Sequence, residues 1–146
     1  PKSVEVNGFS WEKVQLGKEE AIVRQEIIQI FTDLQIDRCS SVYICQNPAF
    51  DRNFFAQLVD IHTQEKKHWP YHWLDFASMY WALQIKGYRE IREPFPQAMS
   101  LSKNAIAQHF GLPIEPNPHS ALNGVDHLLL CYRKVVGFDN NIISEK

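Results

Sequence analysis

Between residues 18 and 34 the apolar side chains Ala21, Ile22, Ile27, Ile30, Phe31 and Leu34 recur at helical spacing. That pattern predicts an amphipathic helix, with Glu19 and Glu20 near its start where the helix dipole favours acids. The stretch "SVYIC", residues 41–45, is short and β-branched or aromatic, and reads as a buried strand. It runs directly into "QNPAFDRNFFAQLVDIHTQE". There Asn47 suits the N-cap and Pro48 the first helical position, while Phe50, Phe54, Leu58 and Ile61 form one apolar stripe. The unit is strand, tight turn, helix. "WPYHWLD" predicts a second short strand. Asp75 then caps a helix through "FASMYWALQIKG" that Gly87 ends. After the Pro-containing loop "REPFPQAM", Ser100 caps a helix through "LSKNAIAQHF" and Gly111 stops it. The loop "LPIEPNP" leads to His119 and a last helix to about Val136, whose buried face is marked by Val125, Leu129, Tyr132 and Val136. The opening "PKSVEVNGFSWEKV" reads as turn-rich, with a turn at Asn7-Gly8, and residues 137–146 as a polar tail. Helices alternating with few strands predict the α/β class. Two or three strands are too few for a covered sheet.

Composition narrows the class. A chain of 146 residues with 45% apolar and 22% charged side chains is one domain, or most of one, with a sizeable core. No stretch is long and apolar enough to cross a membrane, and no signal peptide is visible, so a cytoplasmic protein is expected. Cys39, Cys45 and Cys131 are odd in number and show no CxxC spacing, which predicts reduced thiols rather than disulfides or a zinc knuckle. The net charge of −2 excludes binding nucleic acid through a large basic surface alone. It leaves open an enzyme that holds a strand end in a small pocket. The chain begins at Pro1, so it is expected to be an excerpt of something longer.

Two residues are candidates for chemistry. Asp51 falls in the first turn of the helix after a buried strand, and ligands of open α/β sheets bind at the carboxyl ends of strands. A carboxylate there can hold Mg²⁺ or Mn²⁺, or it can simply favour the helix dipole. His119, in a Pro-rich loop at a helix start, is expected to be accessible. It can accept a proton from water at neutral pH, or be an ordinary surface or capping histidine. The other histidines carry less. Trp69-Pro70 stands between His68 and His72 and forbids the helix that would aim both at one zinc. His62, His109 and His127 are expected in solvent or in satisfied contacts.

Taken in order, "NPAFDRNFF" and "SLSKNAIAQHFGLPIEPNPHSALNGV" resemble the second and third motif regions of the DnaQ-like 3′–5′ exonucleases, the DEDD superfamily. The match is Asn47, Phe50, Asp51 and Phe54 in the pattern N-x-x-F-D-x-x-F, followed by a helix, an "FG" turn and H-x-A. The histidine resembles that of the DEDDh branch, which includes proofreading subunits and RNase T. "YHWLDFASMYWAL" resembles the segment between the motifs, and "SVEVNGFSWEKV" the turn after the family's third strand, so the resemblance covers most of residues 1–136. It implies a ribonuclease H-like three-layer fold. It also implies metal-assisted removal of nucleotides from nucleic-acid 3′ ends, with two divalent ions held by four carboxylates. Asp51 would be a metal ligand and His119 the general base. Phe50 and Phe54 would pack the core, or Phe50, like Asn47, would line the site; Asn47 would otherwise cap its helix.

The chain departs from the family pattern twice. No D-x-E strand precedes Asp51, so the first strands of the mixed sheet are expected to be missing from a single exonuclease-like domain over residues 1–146. The last carboxylate falls at Gly124. Asp126 is a weak substitute, because two helical steps turn a side chain by ~200°. Asn123 is a poorer ligand that faces solvent. Gly124 reads either as close backbone packing or as what remains of a lost aspartate. Three functions stay open: an exonuclease, a catalytically inactive module of that fold that binds single-stranded nucleic acid or protein, and a chain whose sheet is covered by a second copy or another chain. In the last case Trp11, Trp69, Trp73 and Trp81 would cover the open surface, unless they are simply core.

Overall fold

In the computed structural model, residues 10–94, 98–117 and 119–137 are described. They form seven helices and two strands: α1 Trp11–Gln15, α2 Glu20–Asp33, β1 Tyr43–Cys45, α3 Pro48–Leu58, α4 Ile61–Lys66, β2 Trp73–Asp75, α5 Phe76–Ile91, α6 Lys103–His109 and α7 Ala121–Val136. The predicted turn at Asn7-Gly8, the centre of the loop "REPFPQAM" and the tail beyond Gly137 lie outside the described residues. The protein is mixed α/β, mostly helical, as the pattern predicts. It divides into two compact units, one holding the described residues up to Asp75 and one holding those from Phe76 onward.

The first unit is built on a parallel pair of strands. Tyr43 lies opposite Trp73, Ile44 opposite Leu74 and Cys45 opposite Asp75. Tyr43 and Trp73 stack with ring centroids 4.0 Å apart, and Phe31, Phe55 and Trp69 extend the aromatic cluster beneath them. Val59 and Trp69 are fully enclosed. Such ring pairs add to area burial, so these three-residue strands rest on their aromatic packing more than on their ladder. Helix α2 turns Val23, Ile27, Ile28 and Phe31 inward and leaves Ile22, Ile30 and Leu34 exposed. That inner face is rotated from the predicted stripe, because Phe31 must meet Trp69, 4.4 Å away centroid to centroid. The segment "WEKV" is helical rather than turn, with Ser10 accepting the Lys13 N–H at 3.3 Å.

In the second unit Phe76 and Tyr80 of α5, Ile106 and Ala107 of α6 and Cys131 of α7 form the core. Ser102, not Ser100, caps α6 and accepts the Ala105 N–H. The apolar pair at 106 and 107 sets that start, one turn before the residues that must be buried. Gly111 ends the helix at φ +66°, where the Leu112 N–H reaches the Ala107 carbonyl and the Gly111 N–H reaches that of Gln108. This is the paired bonding of a Schellman terminus, which a residue with Cβ resists. Helix α7 buries His127 and Cys131, with Leu128, Tyr132 and Val135 partly covered. Of the predicted face only Tyr132 lies there; Val125, Leu129 and Val136 are exposed.

Gly87 does not end its helix; α5 continues to Ile91 and stops where Arg92 turns to φ 58°. A Cβ on Gly87 would meet nothing within 4 Å. Glycine in a helix interior costs about 0.5–1 kcal/mol relative to alanine. Gly87→Ala is therefore expected to stabilise the protein by about that amount, read as a higher urea midpoint at unchanged slope.

Candidate functional site

Asp51 stands where the sequence puts it, in the first turn of α3, exposed. The parallel register brings Cys45 and Asp75 side by side at the carboxyl ends of β1 and β2. The chain then turns through Asn47 at φ 60°, a left-handed conformation that asparagine adopts at little cost. Asn47 makes no side-chain cap bond. Its backbone N–H instead donates to Asp75 Oδ1 at 3.1 Å, so one acid pins the turn that presents the other. Asn47 thus stands at the predicted N-cap position, with Pro48 following as expected, but serves by its backbone and not by a side-chain cap bond. Burial first, and then the negative charge and hydrogen bonding of Asp51, push the Cys45 thiol up to about 11. Cys45 is therefore a neutral thiol at pH 7.

Phe50 and Phe54 do not pack the core. They are 64% and 57% exposed, with their rings 4.7 Å apart. Together with Tyr43, Asp51, Phe55, Leu58 and Trp73 they line an open, mostly apolar groove of about 420 Å³. The three-residue strands give their helix too little surface to cover both rings.

His119 lies in the second unit, immediately before Ser120, whose Oγ accepts the Asn123 N–H and starts α7. Its side chain is 46% exposed, as predicted for a loop histidine. Its Nδ1 is bonded to Glu115 Oε1. The other Glu115 oxygen pairs with Lys103 Nζ at 3.1 Å, and that ammonium also donates to the Gly124 carbonyl at 2.8 Å. Burial opposes ionisation of Glu115, but the hydrogen bonds and positive charge of Lys103 and His119 outweigh it and hold the carboxyl below its usual range. His127 completes the cluster from beneath. Its Nε2 donates to the Pro113 carbonyl at 2.9 Å, and its buried Nδ1 lies 4.0 Å from Glu115 Oε2. It is buried on one helix face with Cys131, and its bond to Pro113 is a satisfied contact of the kind expected for it.

Gly124 packs against this cluster. A Cβ there would lie 3.1 Å from His119 Cε1 and 3.3 Å from Glu115 Oε1. Of the two readings of that glycine, close packing has direct geometric support. Asp126 is exposed and lines a groove with Asn123, Pro113, Ile114, Pro116, His127 and Leu130. Asn123 is half-buried there rather than free in solvent.

Glu115, Lys103 and His127 were not among the candidates, yet the sequence carries a signal for two of them. Lys103 shares the apolar stripe of Ile106, Ala107 and Phe110, and His127 that of Leu128, Cys131 and Val135. A cation or imidazole on a buried stripe needs a polar partner. Glu115 is set by loop geometry, its N–H donating to Asn104 Oδ1 at 3.0 Å.

The described residues do not fit the two ions that the family resemblance implies. Among them no set of three or more His, Cys, Asp or Glu side chains is placed to hold a metal ion. The Glu115 carboxylate already faces an internal ammonium. What the chain's own residues offer is a carboxylate at a strand mouth and a carboxylate-bound imidazole. No family model, no curated protein and no solved structure matches this chain.

Proposed function

We propose that this chain is a 3′–5′ exonuclease-type phosphodiesterase of ribonuclease H-like fold, acting on single-stranded nucleic-acid 3′ ends, with Asp51 of the first unit and His119 of the second as its candidate residues, each taken within its own unit. The observation that carries the reading is Asp51 in the first turn of α3, beside the carboxyl ends of two parallel strands. That is where α/β sheets bind their ligands, and the surrounding residues follow the pattern N-x-x-F-D-x-x-F. His119 supplies a proton acceptor for the attacking water. The test is a 5′-labelled single strand incubated with the protein in Mg²⁺ or Mn²⁺. Stepwise shortening from the 3′ end supports the reading, and a strand that stays full length refutes catalysis.

A second reading, a non-catalytic module of the same fold, has its own observation. Lys103 Nζ, Glu115 and His119 surround Gly124, where the family pattern places the last carboxylate. Restoring an acid there would set two carboxylates together and displace the His119 ring. Gly124→Asp is therefore expected to add no cleavage and to lower stability by about 1–2 kcal/mol, since overpacking and like-charge repulsion exceed the helix-propensity gain. A Gly124→Asp protein that cleaves where the wild type does not would overturn this second reading.

A further inference from the structure

His119 and Glu115 are four residues apart in a loop, yet their environments differ: Glu115 is 11% exposed and His119 46%. The carboxylate is fixed from several sides. Its Oε2 faces Lys103 Nζ at 3.1 Å, and its backbone N–H is held by Asn104. Lys103 is in turn anchored on the Gly124 carbonyl. The second oxygen, Oε1, is thereby left to His119 Nδ1.

An ionised carboxylate only accepts hydrogen bonds, so Nδ1 must be the donor. In the neutral ring the proton is then on Nδ1, and Nε2 is the basic nitrogen. Which ring nitrogen carries the proton is set by the bond the other makes. Gly124 contributes by lacking a side chain, because a Cβ there would crowd His119 Cε1 at 3.1 Å.

We propose that Glu115, held by Lys103, is the positioning residue of His119: it fixes the Nδ1–H tautomer and leaves Nε2 as the nitrogen that accepts a proton. The inference rests on His119 being the proton acceptor of the proposed site. The charged and titratable groups facing Glu115 are Lys103 from α6, His127 from α7 and His119 itself. Of these only His119 is substantially exposed, so it alone can present a nitrogen to a substrate while bonded to the carboxylate.

The test is a two-bond ¹H–¹⁵N correlation spectrum of the ¹⁵N-labelled full chain at a pH where His119 is neutral, assigned with His119→Gln. The expected wild-type spectrum has a protonated Nδ1 and an unprotonated Nε2. Glu115→Gln offers one acceptor oxygen for two donors; Lys103 takes it and the amide NH2 faces Nδ1, so Glu115→Gln and Glu115→Ala are both expected to move the proton to Nε2, the form histidine favours in water. A wild-type spectrum with the proton on Nε2 overturns the proposal without any variant, so misfolding of Glu115→Ala cannot shield it. In the trimming assay Glu115→Ala is expected to lower kcat about 10²-fold at unchanged KM, with Glu115→Asp, which keeps the carboxylate, recovering part of the loss. Absence of trimming alongside the Nδ1–H pattern defeats the phosphodiesterase reading alone. Trimming with the Nε2–H pattern defeats the positioning role alone.

Discussion

His119→Ala is expected to lower the rate of 3′-end trimming by about 10²–10⁴-fold, the range that one positioned general base contributes. The loss should appear in kcat and in kcat/KM equally, because the imidazole acts on the attacking water and does not hold the strand. The fold should survive. The side chain is nearly half exposed, it precedes α7, and its removal leaves the Lys103–Glu115 pair in place. Circular dichroism and the urea midpoint are therefore expected to stay close to the wild type. Asp51→Asn separates the second contribution, since it keeps the shape of an exposed first-turn side chain and removes its charge. A similar rate loss is expected from it, with oligonucleotide binding weakened little. If His119→Ala trims within about threefold of wild type, the imidazole is not the base and the site lies elsewhere.

Elements were legible in the sequence wherever a local pattern carried them. The periodic apolar residues of 18–34 announced α2, and the β-branched and aromatic runs ending at Cys45 and Asp75 announced both strands. Gly111 marked a helix end because its φ of +66° is a backbone requirement that travels with the residue. Gly87 failed as a marker for the converse reason. Its backbone is helical, and nothing in its surroundings needs the missing Cβ, so the glycine is only a weak helical residue. The α7 face was misread because Val125, Leu129 and Val136 are more hydrophobic than Gly124, His127 and Cys131. Here the polar and small side chains go inside, because a buried carboxylate on the preceding loop requires them. Of the candidate residues, the first-turn position of Asp51 and the exposed loop position of His119 were legible from local context. Glu115 was not, since its role depends on Lys103 twelve residues upstream and on the Gly124 backbone nine residues downstream. Exposure of Phe50 and Phe54 was also beyond a periodicity argument, which identifies a stripe without identifying what covers it.

The largest stability effect is expected at Lys103. Lys103→Met removes the ammonium while keeping much of the stem's volume, so packing beside Ile106 and Ala107 changes little. What remains is a Glu115 carboxylate, 11% exposed, without its cation. Breaking a buried pair by removing one partner costs about 3–5 kcal/mol. Because both groups retain some access to water, a loss of about 2–3 kcal/mol at pH 7 is expected. The pH dependence identifies the cause. In the wild type burial opposes ionisation of Glu115, but hydrogen bonds and charge from Lys103 and His119 bring it below its ordinary value of 4.5. Between the two values the unfolded chain binds more protons than the native one, so stability rises with pH there. This contribution is complete above the unfolded value and disappears as pH falls through the depressed native one. In Lys103→Met the burial that opposes ionisation loses its main counterweight, so the native carboxyl takes up a proton more readily than the unfolded one. The variant's stability then rises as pH falls, and the gap to wild type is expected to be widest near pH 7 and to narrow towards pH 4. The double variant Lys103→Met/Glu115→Gln, which leaves no charge to strand, should recover much of the loss at pH 7. Urea unfolding of the three proteins at both pH values checks the set. A gap that stays constant with pH would locate the cost in packing and not in the carboxylate.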